Sequence, residues 1–282
     1  MFNFVKIRAK ISKFRTMTNK HDIMWFDSLD STNDEAARHI SDIDNLSVLS
    51  ALEQSKGRGQ KGNSWSSDPG ENLTFSVVLK YALTLPESLK PGLLMPLKAT
   101  DQFAVSEAAS LAVVDLLSEY GIQAKIKWPN DIYVNDKKIC GILIEHVVRG
   151  KNMTHSIVGI GLNVNQSKFD PALPNPTSMV LCCADKDVAQ SFDIRDCLEN
   201  FITIFSGYVN RYLHSNGGLR NLRRMYLNQM WRIDKETCFI DNQSGMQFQG
   251  IIRGLSDIGL LKVENEKGEL IEFAFKEISY IL

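Results

Sequence analysis

The sequence predicts an α+β main domain followed by a small C-terminal β-barrel. From residue 21 onward, strand-like and helix-like patterns alternate, which is typical of a sheet with helices packed on it. From about Thr237, short apolar runs alternate with turn-forming residues instead. Since 282 residues suit one large domain or two smaller ones, we expect a basic extension over 1–20, a main domain over 21–232 and the β module over 233–282.

The first part of the main domain is predicted as strand, helix, strand, loop and strand. Residues 21–26, 46–53 and 73–81 form apolar runs that are typical of strands. After the first of them, Ser31 precedes polar and acidic residues that suit the first turn of a helix. Residues 54–65 are too rich in glycine and polar side chains to form a regular element, so we expect a loop there.

The second part is predicted to begin with a long helix. Apolar residues repeat at three-to-four spacing over 99–120, and Gly121 follows as a stop signal. Later strands are expected at 124–128, 131–134, 139–148 and 156–164, and helices at 194–213 and 219–231. The C-terminal module is expected to contain strands at 238–240, 248–252, 260–263 and 270–275.

Composition excludes several classes of protein. Hydrophobic residues make up 44% of the chain and charged residues 23%, as in ordinary globular proteins. The net charge of −1 argues against a protein that coats nucleic acid. No apolar run approaches the roughly 18 residues that span a bilayer. The five cysteines form no Cys-x-x-Cys pair, so we expect free thiols in a reducing, cytoplasmic compartment.

The N-terminal segment has a composition of its own. Residues 1–21 carry basic side chains, no acidic ones and no continuous apolar stretch, so we expect no secretory signal. A mitochondrial presequence, a nucleic-acid-binding arm and an upstream start before Met17 stay open as alternatives. A frayed basic extension is the simplest interpretation, and the segment is too short for a helix-turn-helix domain.

The glycine loop matches a dinucleotide-binding pattern at Gly57, Gly59 and Gly62. That motif requires a helix directly after the third glycine, because the helix N-terminus binds the pyrophosphate. Here residues 63–70 include Asp-Pro-Gly and predict loop instead. We therefore reject a Rossmann site.

The same loop is suited to hold an anion. Glycines let backbone N–H groups approach a ligand closely, Arg58 and Lys61 add positive charge, and Trp65 can cover a flat ring. Such a loop could also close over a ligand and exclude water. A surface loop with chance glycines fits these residues equally well when they are taken alone.

Residues 127–131, Lys-Trp-Pro-Asn-Asp, present a cation, an amide and a carboxylate at a strand end. If 131–134 and 138–144 form a hairpin, Asp131 and Lys138 lie near each other on adjacent strands. A lysine that faces a buried site requires an anionic partner, which a ligand carboxylate or phosphate can supply. For Lys138 the alternative is a solvated side chain in an ordinary hairpin.

The strand over 156–164 contains two glycines, Gly159 and Gly161. Glycine weakens a strand and often marks the close approach of a ligand. Asn163 offers a donor and an acceptor together, as the edge of an adenine requires. A bulge in a packed strand explains the same residues equally well.

Five motifs occur in one order: Ser-Thr-Asn at 31–33, Gln-x-x-Gly-Arg-Gly at 54–59, Lys-Trp-Pro-Asn-Asp at 127–131, Gly-Ile-Leu-Ile-Glu at 141–145 and Gly-x-Asn at 161–163. In this order and spacing the chain resembles a biotin protein ligase from about Trp25 to its C-terminus. The glycine loop and Lys-Trp-Pro-Asn-Asp together make the resemblance specific. It implies a mixed, class II synthetase-like sheet with helices on one side, followed by an SH3-like barrel.

The resemblance also implies a two-step reaction. Biotin and Mg-ATP form biotinoyl-5′-AMP and pyrophosphate, and one lysine of a biotin carboxyl carrier protein of acetyl-CoA or a related carboxylase then attacks the adenylate. ATP and Mg²⁺ are thus the expected cofactors, and the expected assembly is a monomer or a homodimer. Since no helix-turn-helix fits before the first strand, we expect the form without a DNA-binding domain, with neither DNA nor a membrane as partner.

Roles follow residue by residue from the resemblance. The implied biotin contacts are Ser31, Thr32, Asn33, Gln54, Gly57, Arg58, Gly59, Gln60, Lys138 and Gly141. The implied ATP contacts are Arg58, Lys61, Trp65, Lys127, Asn130, Asp131, Asn163 and Arg253. The implied catalytic group consists of Arg58, Lys138 and Asp131, and Asp131 is also the implied magnesium ligand.

One residue of the glycine loop departs from the family pattern. Many relatives read Gly-Arg-Gly-Arg in the loop, whereas this chain has Gln60 in the fourth place, which puts retention of the adenylate in doubt.

Three rival functions are alternatives to a biotin protein ligase. A lipoate ligase shares the superfamily fold and the adenylate chemistry. A nucleic-acid module is disfavoured by the near-zero charge. A carrier-binding scaffold without catalysis is supported only by Gln60.

Overall fold

Within the described part of the chain, eight strands form one mixed sheet in the main domain. The computed structural model describes residues 15–18, 21–84, 92–183 and 191–281. Its first eight strands are β1 (Arg15–Thr18), β2 (His21–Leu29), β3 (Val48–Gln54), β4 (Leu73–Lys80), β5 (Lys125–Lys127), β6 (Asp131–Val134), β7 (Lys137–Arg149) and β8 (Asn152–Leu162). They lie in the order β1-β2-β3-β4-β8-β7-β6-β5. β2 and β3 pair in parallel and β4 pairs antiparallel with β3 and β8, which confirms the mixed sheet.

Strand β1 departs from the expected frayed extension. Its residues pair antiparallel with β2, from Thr18 opposite His21 to Arg15 opposite Met24. The outer edge of a sheet leaves backbone N–H and C=O groups without partners, and a short returning segment satisfies them. Residues 1–14 and 19–20 lie outside the described part of the chain, so the other interpretations of the extension stay predictions.

The helices are α1 (Thr32–Arg38), α2 (Phe103–Glu119), α3 (Met179–Cys182), α4 (Ile194–Tyr212) and α5 (Asn216–Asn228). α2 is the long helix that the apolar spacing predicts, and Gly121 follows it with a φ of 74°. α5 begins before the predicted 219 because Ser215 caps it, accepting a bond from the Gly218 N–H at 3.1 Å. Within the described ranges, no helix is both long and apolar enough to cross a membrane.

The two faces of the sheet are covered differently. Val77 and Leu79 of β4 belong to the large core cluster with α2 and α4, whereas Val78 between them packs with Ala36 of α1. Successive residues of a strand point to opposite faces. The long helices therefore lie on one face and α1 on the other, which departs from the helices on one side that the resemblance implies.

The C-terminal module is a second, antiparallel sheet. Its strands are β9 (Glu236–Asp241), β10 (Gln247–Leu255), β11 (Leu261–Asn265), β12 (Leu270–Phe273) and β13 (Ile278–Tyr280), in the order β12-β11-β10-β9-β13. β13 is absent from the predicted strands, because a segment of three residues carries too little pattern to be recognised. The sheet agrees with a small barrel-like domain, and the SH3-like form of that barrel stays a prediction.

The second sheet docks on the main domain through polar and apolar contacts. The Trp128 indole N–H donates to the Gly259 carbonyl at 3.0 Å. Arg223 of α5 bonds both to Glu107 of α2 and to the carbonyl of Ser256, in the turn that follows β10. Glu107 is only 1% exposed, and its burial raises the pKa of its carboxyl to about 7 although Arg223 opposes this. These bonds fix the barrel close to residues 127–131.

Candidate functional site

A cavity of about 600 Å³ opens where the main sheet meets the second sheet. Its walls come from the start of α1, the end of β3, the glycine loop, strands β5 to β8 and the last strand of the chain. The predicted residues that line it are Ser31, Thr32, Asn33, Gln54, Arg58, Gly59, Gln60, Trp65, Lys127, Asn130, Asp131, Lys138 and Gly141. The fold thus gathers motifs that lie far apart in the sequence.

One end of the cavity is a buried polar cluster at the start of α1. Ser31, Thr32 and Asn33 are 2%, 4% and 3% exposed. The Gln54 side-chain carbonyl accepts a bond from the Thr32 backbone N–H at 2.8 Å. The Ser76 hydroxyl lies 2.7 Å from the Thr32 hydroxyl and 2.6 Å from the side-chain Oδ1 atom of Asn33. Ser76 lies within an apolar strand, so the sequence analysis missed it.

The strand glycines make room for side chains that enter the cavity. A Cβ atom on Gly159 would lie 2.3 Å from the Asn33 Oδ1 atom, and one on Gly161 would lie 2.3 Å from the Trp65 indole. Gly141 lies opposite Gly161 in the sheet, with the same indole beside it. The Trp65 Nε1 atom is buried and has no hydrogen-bond partner among the described residues. The ring of Trp65 therefore covers a flat floor made of two glycines.

Asp131 and Lys138 form an ion pair across the β6–β7 hairpin. The Lys138 Nζ atom lies 2.7 Å from an Asp131 carboxylate oxygen, and both line the cavity. This confirms that the hairpin brings the two residues together. The ammonium is held beside the cavity by a carboxylate that a ligand anion can join or replace.

Lys127 provides a second ammonium beside the cavity. Its Nζ atom donates to the Tyr133 hydroxyl at 3.1 Å and lies 4.8 Å from the centre of that ring. It also lies 5.1 Å from the ring of Tyr280, which belongs to β13. The aromatic rings hold the cation without neutralising it, so its charge remains available to an anion.

Arg58 is held by two carboxylates. Its Nη1 and Nη2 atoms donate to the two oxygens of Glu145 at 3.0 and 2.8 Å, and Nη2 also donates to Asp34 at 2.7 Å. Hydrogen bonding to Glu145 raises the pKa of the Arg58 guanidinium above its ordinary value. The Arg58 side chain is 39% exposed and lines the cavity. A permanent cation is thus fixed at the rim.

The second sheet supplies a wall that the sequence analysis missed. Its lining residues are Asn242, Phe275, Lys276, Ile278, Ser279 and Tyr280. They lie in β13, in the segment before it and in the turn after β9, and no local pattern marks them. The sequence analysis named Arg253 instead, but Arg253 does not line the cavity. It bonds to Glu264 at 2.7 Å and to Asp234 at 2.8 Å.

Two other predicted residues, Asn163 and Gly57, are not among the described residues that line the cavity. The Asn163 amide donates to the Thr177 carbonyl at 2.9 Å, so its N–H serves a loop rather than a ligand here. Gly57 supports the loop, because its carbonyl accepts from the Trp65 N–H and a Cβ atom there would lie 2.3 Å from the Trp65 carbonyl oxygen. The side chain of Lys61 lies outside the described part, and its backbone belongs to a short 3₁₀ turn, Gln60–Gly62.

A metal site with several protein ligands is absent from the described ranges, where no group of three or more His, Cys, Asp or Glu side chains could hold a metal ion. Asp131 is the predicted magnesium ligand. Magnesium in nucleotide sites is usually held by one or two carboxylates together with substrate phosphates. A single carboxylate at the cavity therefore fits a metal that arrives with a nucleotide.

Comparison with known proteins agrees with the motifs. The model of the Biotin/lipoate A/B protein ligase family matches residues 25–163. Biotin--protein ligase 2 of Arabidopsis thaliana is 30% identical over 247 residues, which are 85% of this chain and 68% of that protein. Biotin--[acetyl-CoA-carboxylase] ligase of Paracoccus denitrificans is 26% identical over 249 residues, 86% of this chain and 94% of that protein.

The fold has relatives among solved structures. The biotin protein ligase from Aquifex aeolicus in complex with biotin and ATP superposes with a TM-score of 0.69 at 23% identity. The match covers 92% of this chain and 98% of that one. This likeness concerns the fold.

The matches also show how much of each relative's length this chain covers. The chain spans 64% and 68% of the lengths of two Arabidopsis thaliana relatives that it matches. The identity to the second of them, the match of the family model and the ordered motifs around one cavity agree with one another. The chain belongs to the biotin protein ligase family.

Proposed function

We propose that the protein is an ATP-dependent ligase that activates biotin as biotinoyl-5′-AMP and transfers it to a lysine of a biotin carboxyl carrier protein. The observation that carries the proposal is the cavity itself. It brings the buried polar cluster at the start of α1 and the cations Arg58, Lys127 and Lys138 together in one lining. An acid with a polar head group requires the polar cluster, and a nucleoside triphosphate requires cations beside it.

The polar cluster suits the ureido ring of biotin. A cyclic urea presents two N–H donors and one carbonyl acceptor, and the side chains of Ser31, Thr32 and Gln54 can both accept and donate. Lipoate carries no such group, so it would leave buried polar atoms without partners. Each such atom costs about 1–3 kcal/mol, which favours biotin over lipoate.

The cations suit the first reaction step. A biotin carboxylate oxygen attacks the α-phosphorus of ATP, an O–P bond forms, and the bond to the β-phosphate oxygen breaks to release pyrophosphate. Both reactants are anions, and Lys138, Lys127 and Arg58 offset their repulsion. One well-placed donor of this kind contributes roughly 2.7–4 kcal/mol to the transition state. Asp131 would hold a magnesium ion, whose chemistry is to neutralise phosphate charge.

In the second step, the acceptor lysine attacks the acyl carbon of the adenylate. A C–N bond forms, the C–O bond to the phosphate breaks, AMP leaves, and the amine proton passes to solvent. Because the adenylate also reacts with water, the glycine loop and Trp65 have the role of covering it.

The free cysteines of the chain support a reducing, cytoplasmic location.

Biotin-dependent exchange between ATP and labelled pyrophosphate tests the first step. We expect exchange with biotin and Mg²⁺ and at least about 100-fold less with lipoate, because several buried polar atoms would lose partners. Equal exchange with both acids would place the protein on the lipoate side of the superfamily. No exchange with either acid would refute adenylation and favour a carrier-binding scaffold.

A further inference from the structure

Glu145 contacts two residues of the candidate site, although neither its motif nor the comparisons assign it a role. It lies on β7, and its side chain is 40% exposed. Its two oxygens accept bonds from Nη1 and Nη2 of Arg58 at 3.0 and 2.8 Å. One of them also accepts from the Asn33 amide at 2.8 Å. A single carboxylate thus joins the glycine loop to the start of α1.

The two partners of Glu145 differ in how firmly they are held. Asn33 is 3% exposed, its side-chain Oδ1 atom lies 2.6 Å from the Ser76 hydroxyl, and its side chain fits against Gly159. Arg58 lies between two glycines of the loop, where its backbone forms only an isolated β-bridge with Ser64 and its side chain is 39% exposed. The firm contact with Asn33 therefore fixes Glu145, and Glu145 in turn fixes Arg58.

The contact with Arg58 fixes an orientation as well as a distance. Two parallel N–H···O bonds to one carboxylate define the plane of the guanidinium. Asp34 adds a further bond at 2.7 Å from α1. A guanidinium has more donors than these bonds use. Because Arg58 lines the cavity, this orientation decides where its other donors point.

The contribution of the Glu145–Arg58 ion pair to folding stability is too small to explain the pair. Ion pairs between partly exposed side chains contribute little to folding. Arg253 and Glu264 form such a pair in the second sheet, with side chains that are 38% and 36% exposed, away from the cavity. A displacement of about 1 Å in a group that positions a reactant can cost roughly 100-fold in rate.

We infer that Glu145 is a positioning residue, whose carboxylate holds the guanidinium of Arg58 toward the reacting phosphate and ties it to the polar cluster at Asn33. The inference rests on the proposed function. It assigns the acid of the Gly-Ile-Leu-Ile-Glu motif to the chemical step rather than to substrate contact.

The rate of biotinoyl-AMP formation tests this in a double-mutant cycle. We expect Glu145→Gln to lower that rate roughly 10- to 100-fold, because the amide cannot hold the guanidinium through two acceptors. The Kd for biotin should change less than about threefold, and the melting temperature should not change. In an Arg58→Ala background, Glu145→Gln should add less than about a twofold loss, since its effect acts through Arg58.

Glu264→Gln is the matched control, because it breaks an ion pair of similar exposure away from the cavity. It should leave the rate unchanged. Independent losses for Glu145→Gln and Arg58→Ala would overturn the inference, as would an unchanged rate in Glu145→Gln or an equal loss in Glu264→Gln. A wild-type protein that forms no biotinoyl-AMP would instead overturn the proposed function, and this inference would fall with it.

Discussion

At the scale of single residues, Gln60 is the side chain most open to test. It lines the cavity, and its Oε1 atom is buried without a hydrogen-bond partner among the described residues. We expect Gln60→Arg to slow the release of biotinoyl-AMP roughly 10-fold or more, because a bond between a cation and a phosphate is worth about 1.5–3 kcal/mol. Release of labelled adenylate after rapid dilution measures this.

The control for that change is Gln243→Arg, which adds the same charge at an exposed turn of the second sheet. It should leave the release rate as in the wild type. An unchanged release rate in Gln60→Arg would show that the fourth place of the loop does not hold the adenylate.

Lys138 carries the second prediction at this scale. Lys138→Met removes the ammonium beside the cavity and leaves the Asp131 carboxylate without its partner at 2.7 Å. We expect pyrophosphate exchange to fall about 100-fold or more, since an aimed cation is lost while a repelling anion remains. Lys137→Met is the matched control, because Lys137 is exposed on the same strand. Equal activity in the two variants would contradict a role for Lys138.

At the scale of elements, β7 contains a titrating group. His146 accepts or donates a bond to the Ser156 hydroxyl at 2.8 Å, and burial lowers the pKa of its imidazole from 6.5 to about 4. Below pH 6.5 the unfolded chain binds a proton here that the native protein takes up only near pH 4. His146 should therefore lower the free energy of unfolding as pH drops through this window, by about 3 kcal/mol at most, whereas Glu107, with its pKa raised to about 7, acts in the opposite direction.

Urea unfolding at several pH values between 4 and 7 measures this dependence. We expect His146→Asn to remove the His146 contribution, so that its free energy of unfolding falls less than that of the wild type as pH drops, whereas the same change at the exposed His214 should leave the pH dependence unchanged. A pH dependence in His146→Asn that equals that of the wild type would contradict this assignment.

The elements also show what the sequence can and cannot predict. Apolar spacing predicts α2, and the cap at Ser31 predicts α1, because both signals are local. The ion pair of Asp131 and Lys138 follows from a hairpin of a few residues. The bond from Asn33 to Glu145 joins residues 112 positions apart, and the wall from β13 depends on how the second sheet docks. No local pattern contains such contacts, so Ser76, Glu145 and Tyr280 could not be assigned.

At the scale of the whole molecule, the site depends on the junction between the two sheets. Arg223 links the buried Glu107 to the second sheet at Ser256. Arg223→Met leaves Glu107 buried without a cation, so we expect the free energy of unfolding to fall by about 3–5 kcal/mol. The double variant with Glu107→Met should recover part of that loss, because no unpaired charge remains. Urea unfolding measures both.

Two results would contradict this prediction for the junction between the sheets. A double variant less stable than Arg223→Met alone would mean that Glu107 stabilises the fold without its partner. A loss below about 1 kcal/mol in Arg223→Met would show that the pair behaves as an exposed one.

The central claim is that one cavity joins biotin to a carrier lysine by way of an adenylate. The most direct measurement is transfer of labelled biotin, with Mg-ATP, to a biotin carboxyl carrier domain and to the same domain without its acceptor lysine. We predict acid-stable label on the first carrier and none on the second. Label on neither carrier, with no biotinoyl-AMP formed, would contradict the account.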